Sequence, residues 1–307
     1  MKTIIKCKKN GTKIALTPIS AIFIGFFCLD FVIFIDVLFI IRRFFLVKKF
    51  ILVMLLFMFS IISFGNENQF MKEIFERKGL NGTFVVYDLK NDKIDYYNLD
   101  RANERFYPAS SFKIFNTLIG LENGIVKNVD EMFYYYDGSK VFLDSWAKDS
   151  NLRYAIKVSQ VPAYKKLARE LGKERMQEGL NKLNYGNKEI GSEIDKFWLE
   201  GPLKISAMEQ VKLLNLLSQS KLPFKLENQE QVKDITILEK KDDFILHGKT
   251  GWATDNIVVP IGWFVGWIET YDNIYSFDIN LDIYDSKFLH KSDEIVREYF
   301  NHINVIK

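Results

Sequence analysis

The stretch Pro108-Ala-Ser-Ser-Phe-Lys113 leads into the apolar segment around which the rest of the chain is organised. Apolar side chains recur there at helical spacing and Asn123-Gly124 is a stop signal, so the pattern predicts a helix over Ser110–Glu122. Ser110 and Lys113 lie one turn apart and share a face of that helix. We therefore expect a buried helix that carries a hydroxyl beside an amine.

This Ser–Lys pair has the composition of a nucleophile and its base. A serine hydroxyl is a weak nucleophile until a neighbouring group takes its proton. A lysine serves as that base only if burial keeps it neutral or if it is modified, and Phe112, Ile114 and Phe115 supply apolar surroundings. Because Pro108 leads straight into the helix, Ser110 is expected at its N-terminus, where backbone N–H groups stabilise an oxyanion.

Strand patterns stand at both ends of the globular part, and helical patterns stand between them. Alternating or β-branched runs predict strands at Gly82–Asp88, Lys93–Asn98, Phe244–Lys249, Gly262–Ile268 and Ile274–Ile283. Helices are predicted at Pro162–Leu171, at Lys173–Leu183, from the capping box at Ser206 to Leu217, and from an N-cap at Ser292 to His302. This order predicts an α+β fold, an antiparallel sheet of N- and C-terminal strands with an inserted helical lobe.

Charge and cysteine usage exclude several classes of function. The 307 residues have a formal net charge of +3, but residues 1–65 hold nine Lys or Arg against two Asp, which leaves the remainder at −4. Such a balance disfavours nucleic-acid binding. Cys7 and Cys28 both lie before residue 66, and His247, His290 and His302 are the three histidines, so neither a thiol enzyme nor a metal site is expected.

Two apolar runs open the chain. Phe50–Ile62 follows two lysines and precedes Ser63-Phe-Gly65, which are the three parts of a secretory signal with cleavage before Asn66. We expect a signal at about 47–65 within an N-terminal extension 1–65, a catalytic domain at 66–307, and a secreted, periplasmic protein. Ile19–Ile41 is long enough to span a bilayer, so membrane association through residues 19–62 is the rival interpretation, and a buried core hairpin is the third.

Three further motifs carry polar groups suited to a site. Lys249-Thr-Gly251 ends a predicted strand, where a cation, a hydroxyl and a glycine on an edge let an anionic substrate approach, although the same residues also suit a surface strand end. Ser159-Gln-Val161 offers a second hydroxyl as a proton relay or as a helix N-cap. Trp198 has an indole N–H that needs a buried partner, or it is a core aromatic.

Together these motifs resemble those of the class D (oxacillinase-type) serine β-lactamases, over roughly residues 80–290. In chain order they are Pro108-Ala-Ser-Ser-Phe-Lys113, Ser159-Gln-Val161, Tyr185-Gly-Asn187, Phe197-Trp-Leu-Glu-Gly201, Lys249-Thr-Gly251 and Gly262-Trp-Phe-Val-Gly-Trp267. The resemblance implies the serine β-lactamase or penicillin-binding transpeptidase type of fold. It also implies hydrolysis of penicillin-type antibiotics through a serine acyl-enzyme, which gives resistance.

The resemblance also implies the role of each catalytic residue. Ser110 would be the acylated nucleophile, and Lys113 would carry carbon dioxide as N6-carboxylysine and act as general base. Trp198 would hold that carbamate and Ser159 would shuttle a proton. No metal and no other cofactor is implied.

Substrate contacts follow from the same likeness. Lys249 and Thr250 would engage the substrate carboxylate, and the backbone N–H groups of Ser110 and Trp252 would form the oxyanion hole. The remaining implied contacts are Gly251, the apolar lid of Val158 and Leu199, and Val161. Ser-Gln-Val stands where class A enzymes have Ser-Asp-Asn, and Glu200 is taken as structural.

One departure from the family pattern concerns the carboxylate anchor. Class D enzymes usually carry an arginine after the last strand, whereas this region reads Lys287-Phe-Leu-His-Lys291. His290 or Lys291 falls near the expected place, we take Lys291 as the candidate, and neither side chain offers a bidentate fork.

Two other functions remain open at this point. A membrane-anchored penicillin-binding or β-lactam sensor domain would be acylated without turnover, and an envelope protein with a decayed site would do neither. A homodimer is possible.

Overall fold

The computed structural model describes residues 67–254, 259–285 and 288–306. Its helices are α1 (Gln69–Lys78), α2 (Leu99–Asn103), α3 (Lys113–Glu122), α4 (Leu152–Lys157), α5 (Val161–Leu183), α6 (Ala207–Ser218), α7 (Leu226–Ile235) and α8 (His290–His302). Its strands are β1 (Gly82–Asp88), β2 (Lys93–Tyr97), β3 (Ile237–Lys240), β4 (Phe244–Ala253), β5 (Ile261–Thr270) and β6 (Ile274–Asp282). The predictions for residues 1–65 fall outside these ranges.

The described strands form a six-stranded antiparallel sheet in the order β2-β1-β6-β5-β4-β3. β1 comes from the start of the domain and β6 from its end, yet they pair along their length, with Gly82 opposite Leu281 and Asp88 opposite Tyr275. Gly82 is required there, because a Cβ would lie 2.3 Å from the carbonyl oxygen of Asn280. The predicted α+β fold, with a sheet closed by both ends of the domain, is confirmed.

The two faces of the sheet have different partners. Phe277, Ile279 and Leu281 of β6 belong to the apolar cluster formed with the terminal helices α1 and α8. The intervening residues of β6 point to the opposite face, where α6 packs on the sheet. α3 lies in the core of the helical lobe, with every side chain from Lys113 to Leu121 buried. The predicted buried helix is therefore present.

Several local boundaries differ from those predicted. The helix expected from Ser110 begins as a 3-10 turn over Ala109–Phe112, and the α-helix proper begins at Lys113. The two helices expected around Gly172 are confirmed as two segments of α5 that meet at its left-handed φ of 74°. The capping box at Ser206 is confirmed. The predicted N-cap at Ser292 is wrong, because the chain is already helical from His290 and Ser292 lies buried in the first turn of α8.

None of the helices within the described ranges combines the length and the apolar character that crossing a membrane requires.

Candidate active site

The short turn before α3 holds the hydroxyl of Ser110. Its first residue, Ala109, has a left-handed φ of 48°, an uncommon conformation for a residue with a Cβ. Backbone hydrogen bonds hold this conformation: the Ala109 N–H donates to the carbonyl of Trp198 at 2.9 Å, and the Ser111 N–H donates to the carbonyl of Pro108 at 3.1 Å. The nucleophile candidate thus lies on a turn that is anchored to a distant loop.

Lys113 places its amine directly against that hydroxyl. Its Nζ lies 2.5 Å from Ser110 Oγ and 3.2 Å from Ser159 Oγ. The side chain is fully buried, and no salt bridge to it is present among the described residues. Burial, with a contribution from the charge of Lys249, holds the pKa of Lys113 well below its usual value. A neutral amine in hydrogen-bond reach of a serine can accept its proton.

Ser159 reaches Lys113 from the loop between α4 and α5. Its φ of 54° turns the chain sharply, and its N–H donates to the carbonyl of Ile156 at 3.2 Å. The alternative role of Ser159 as a helix cap is wrong, because Gln160 occupies the N-cap position and α5 begins at Val161. The three groups predicted at the site, at 110, 113 and 159, are therefore brought together.

Trp198 is buried beside this group and its indole N–H is unpaired. Its ring centroid lies 6.0 Å from that of Phe112, and no acceptor for Nε1 occurs among the described residues. A buried N–H without an acceptor costs about 1–3 kcal/mol, so it calls for a partner. Leu199, next along the chain, is half-buried and packs against the same core.

β4 brings the Lys-Thr-Gly segment to the Ser110 turn. From Lys249 to Ala253 the strand pairs with β5, whereas its described pairing with β3 ends at His247, so the predicted edge position holds for this half. A Cβ at Gly251 would lie 3.0 Å from the carbonyl oxygen of Pro108 and 3.3 Å from the nitrogen of Ser110. Glycine therefore allows this half of β4 to touch the nucleophile turn.

Lys249 and its neighbours present different groups. Lys249 is 6% exposed, its Nζ donates to the carbonyl of Thr250 at 2.8 Å, and burial lowers its pKa to about 7. Thr250 is exposed, as a substrate-binding hydroxyl must be. The Trp252 indole donates to the carbonyl of Ile283 at 3.0 Å, so the residue can serve the site through its backbone N–H.

The other predicted contacts lie in two places. Val158 and Val161 flank Ser159 and are half-buried, and the Val158 carbonyl accepts from the Trp146 indole at 3.0 Å. Lys291 lies on α8, 3.3 Å from Glu294, and lines a cavity of about 620 Å³ with Lys78. The described contacts of Lys291 do not include the Ser110 turn, and its role as carboxylate anchor stays a prediction.

The sequence analysis missed the polar residues that support the site. The buried Gln160 side chain donates to the carbonyls of Trp146 and Lys148 at 2.8 and 2.9 Å and so holds the Ser159 loop. Asp278, fully buried on β6, is the second omission. The sequence did contain a signal for it, since strand alternation places Asp278 on the face of the sheet opposite to that of Phe277. In the described part of the chain, no group of three or more His, Cys, Asp or Glu is arranged to hold a metal ion.

Comparison with known proteins adds independent findings. Residues 66–301 match the family described as penicillin binding protein transpeptidase domain. The crystal structure of FUS-1 (OXA-85), a class D β-lactamase from Fusobacterium nucleatum subsp. polymorphum, is 97% identical and superposes with a TM-score of 0.78, covering 79% of this chain and 100% of that one. β-Lactamase OXA-10 of Pseudomonas aeruginosa is 41% identical over 219 residues, 71% of this chain and 82% of that protein.

A regulatory protein is also similar. Regulatory protein BlaR1 of Bacillus licheniformis is 34% identical over 207 residues, which is 67% of this chain but 34% of that protein.

Proposed function

The chain belongs to the class D β-lactamases, within the penicillin-binding transpeptidase fold, and from this premise we propose how its residues open the β-lactam ring. As a member of that family it is a serine hydrolase of β-lactam antibiotics and gives resistance to them. The observation that carries the residue assignment is the buried Lys113 amine, 2.5 Å from Ser110 Oγ.

Acylation begins with proton transfer from Ser110. Its oxygen attacks the β-lactam carbonyl carbon while the base at residue 113 takes its proton, and the resulting oxyanion accepts hydrogen bonds from the backbone N–H groups of Ser110 and Trp252. The bond from the carbonyl carbon to the ring nitrogen then breaks. Ser159, 3.2 Å from Lys113 Nζ, passes a proton to that nitrogen. Lys249 and Thr250 bind the substrate carboxylate.

Two features support the proposal that Lys113 works as a carboxylated lysine. Addition of carbon dioxide requires an uncharged amine, and burial lowers the pKa of Lys113 accordingly. The unpaired indole N–H of Trp198 needs an acceptor, and a carbamate oxygen is one. The carbamate would supply a base that serves both acylation by Ser110 and activation of the deacylating water. Phe112, Trp198 and the half-buried Leu199 restrict water at this group.

The second candidate function is a sensor domain that stays acylated, and the similarity to BlaR1 favours it. The two functions differ in one step, because a sensor lacks rapid hydrolysis of the acyl-serine bond.

A first test concerns export, which we propose takes place through the signal at 47–65. N-terminal sequencing of the exported protein is expected to begin at Asn66, because small residues precede the cut. Gly65→Gln puts a large residue at the cut and is expected to leave the precursor uncleaved. A mature protein that retains Phe50–Ile62 would support the membrane-anchored alternative instead.

A second test concerns Trp198. Trp198→Phe removes one N–H and keeps the ring, so kcat is expected to fall about 10- to 100-fold, the effect of losing one hydrogen bond to a charged group. Added bicarbonate should restore part of this loss by driving carboxylation. It should also restore wild-type activity lost at low pH, where protonation releases carbon dioxide. Trp267→Phe is the matched control, since that buried indole donates to Glu269. If added bicarbonate does not change the activity of Trp198→Phe, then Lys113 acts as an unmodified amine.

The pH dependence of KM tests Lys249. Burial lowers its pKa to about 7, so the free enzyme loses this charge as the pH rises through 7. KM for an anionic penicillin is expected to rise above that pH, by up to about tenfold per unit. Lys249→Arg keeps the charge, and its KM should stay flat across the same range. A wild-type KM that does not change with pH would contradict this role.

Mass spectrometry after mixing with a penicillin distinguishes the hydrolase from the sensor. The wild-type protein is expected to return to its unmodified mass once the drug is consumed, because the acyl-enzyme is hydrolysed. Ser110→Ala should neither gain the adduct mass nor hydrolyse the drug. An adduct on the wild type that persists for hours would support the sensor.

A further inference from the structure

A buried acid on the sheet is connected to the nucleophile turn. Asp278 lies on β6, fully buried, and its Oδ2 accepts a hydrogen bond from Gln210 Nε2 of α6 at 2.8 Å. The Oε1 atom of Gln210 lies 2.9 Å from Ser111 Oγ and 3.3 Å from the hydroxyl of Tyr185. Ser111 Oγ lies 2.8 Å from the carbonyl oxygen of Pro108. This chain of polar groups ends one residue from Ser110.

Counting the available protons indicates in which direction the hydrogen bonds between these polar groups run. Ser111 has a single hydroxyl proton, which cannot fill both the contact to Pro108 and the contact to Gln210. If the amide of Gln210 is turned by 180°, its NH₂ donates to Ser111 Oγ and to the hydroxyl oxygen of Tyr185, and the Ser111 proton is free to go to the carbonyl of Pro108. The amide oxygen of Gln210 then faces Asp278, which can satisfy it only as a carboxylic acid that donates its own proton.

The surroundings of Asp278 suit that uncharged form. On the flanking strands Val85 and Val265 stand opposite it, and no salt bridge to Asp278 is present in the described parts of the chain. Tyr185 is the ionisable group that approaches from the helical lobe, and it is uncharged at neutral pH. Farther along β6, Arg101 donates to Asn280 and pairs with Asp282. Burial without a cation raises the pKa of Asp278 well above its usual value.

We propose that Asp278 is a positioning residue for the acylation of Ser110: its carboxylic acid group fixes Gln210, Gln210 fixes Ser111, and Ser111 fixes the carbonyl of Pro108. That carbonyl begins the turn in which Ala109 takes its left-handed conformation, and it lies against Gly251 of β4. This series of hydrogen bonds therefore sets the position of the Ser110 hydroxyl between Lys113 and the oxyanion donors. The inference rests on the proposed role of Ser110 as nucleophile.

Kinetics with a chromogenic cephalosporin test this positioning. Asp278→Ala is expected to lower kcat roughly tenfold with little change in KM, because a shift of the nucleophile affects the reaction more than binding. Asp278→Asn can still donate to Gln210 and is expected to restore most of kcat. Ser276→Ala is the matched control: it is a buried polar residue on the same face of β6, two residues away, and should leave kcat unchanged.

Two further measurements make the test complete. The infrared difference between the wild type and Asp278→Asn at neutral pH should contain the carbonyl band of a protonated carboxylic acid. Should Asp278→Ala fail to fold, Ser111→Ala can be measured in its place. It removes the hydroxyl at the other end of the hydrogen-bond series and is expected to lower kcat by a similar factor.

Specific results would overturn the proposal. One is the absence of the carboxylic acid band, and another is a wild-type kcat in a folded Asp278→Ala protein. If that protein does not fold, a wild-type kcat in Ser111→Ala would have the same meaning. In each case an active wild type with an inactive Ser110→Ala would leave the proposed function standing.

Discussion

The site depends on a lysine amine that lies in the core with no acid paired to it among the residues that the structure describes. Lys113 is fully buried at the start of a helix that is itself buried as far as Leu121, and its amine contacts the hydroxyls of Ser110 and Ser159. A charged amine there would lose its hydration, and the two hydroxyls and the ring of Tyr164, 5.4 Å from Nζ, do not replace a carboxylate, so the neutral form is favoured. The chemistry of residue 113 thus follows from the packing of α3 in the helical lobe.

That arrangement needs the sheet as well as the lobe. β1 and β6 join the two ends of the domain, which sets the edge half of β4 against the turn that holds Ser110. Gly251 lets the two backbones approach, while the chain from Asp278 through Gln210 and Ser111 connects the sheet to the same turn. The nucleophile is therefore held from both sides.

Much of this could be predicted from local patterns, and the failures have physical causes. Five of the six described strands and the helix around Ser110 follow from short-range periodicity, and the capping box at Ser206 follows from a local motif. β3, only four residues long, was not predicted. The cap at Ser292 was wrong because the helix begins three residues earlier than that cap requires, at His290 with Leu289 as its N-cap. Gln160 and Asp278 were missed because their hydrogen-bond partners are distant in sequence. Strand alternation indicated the face on which Asp278 lies, but not the group that it meets there.

By itself, the sequence determined that strands lie at both ends of the domain with helices between them, and which residue types the site contains, since both depend on spacing along the chain. It also provided the Ser–Lys pair, because residues one turn apart on a helix must share a face. Only the tertiary structure decided that Ser159, Trp198 and Gly251 meet that pair, and that the indole of Trp198 lacks an acceptor. It alone decided that the pKa of Lys113 is lowered and that of Asp278 is raised, because desolvation is a property of the folded core and not of any segment within it.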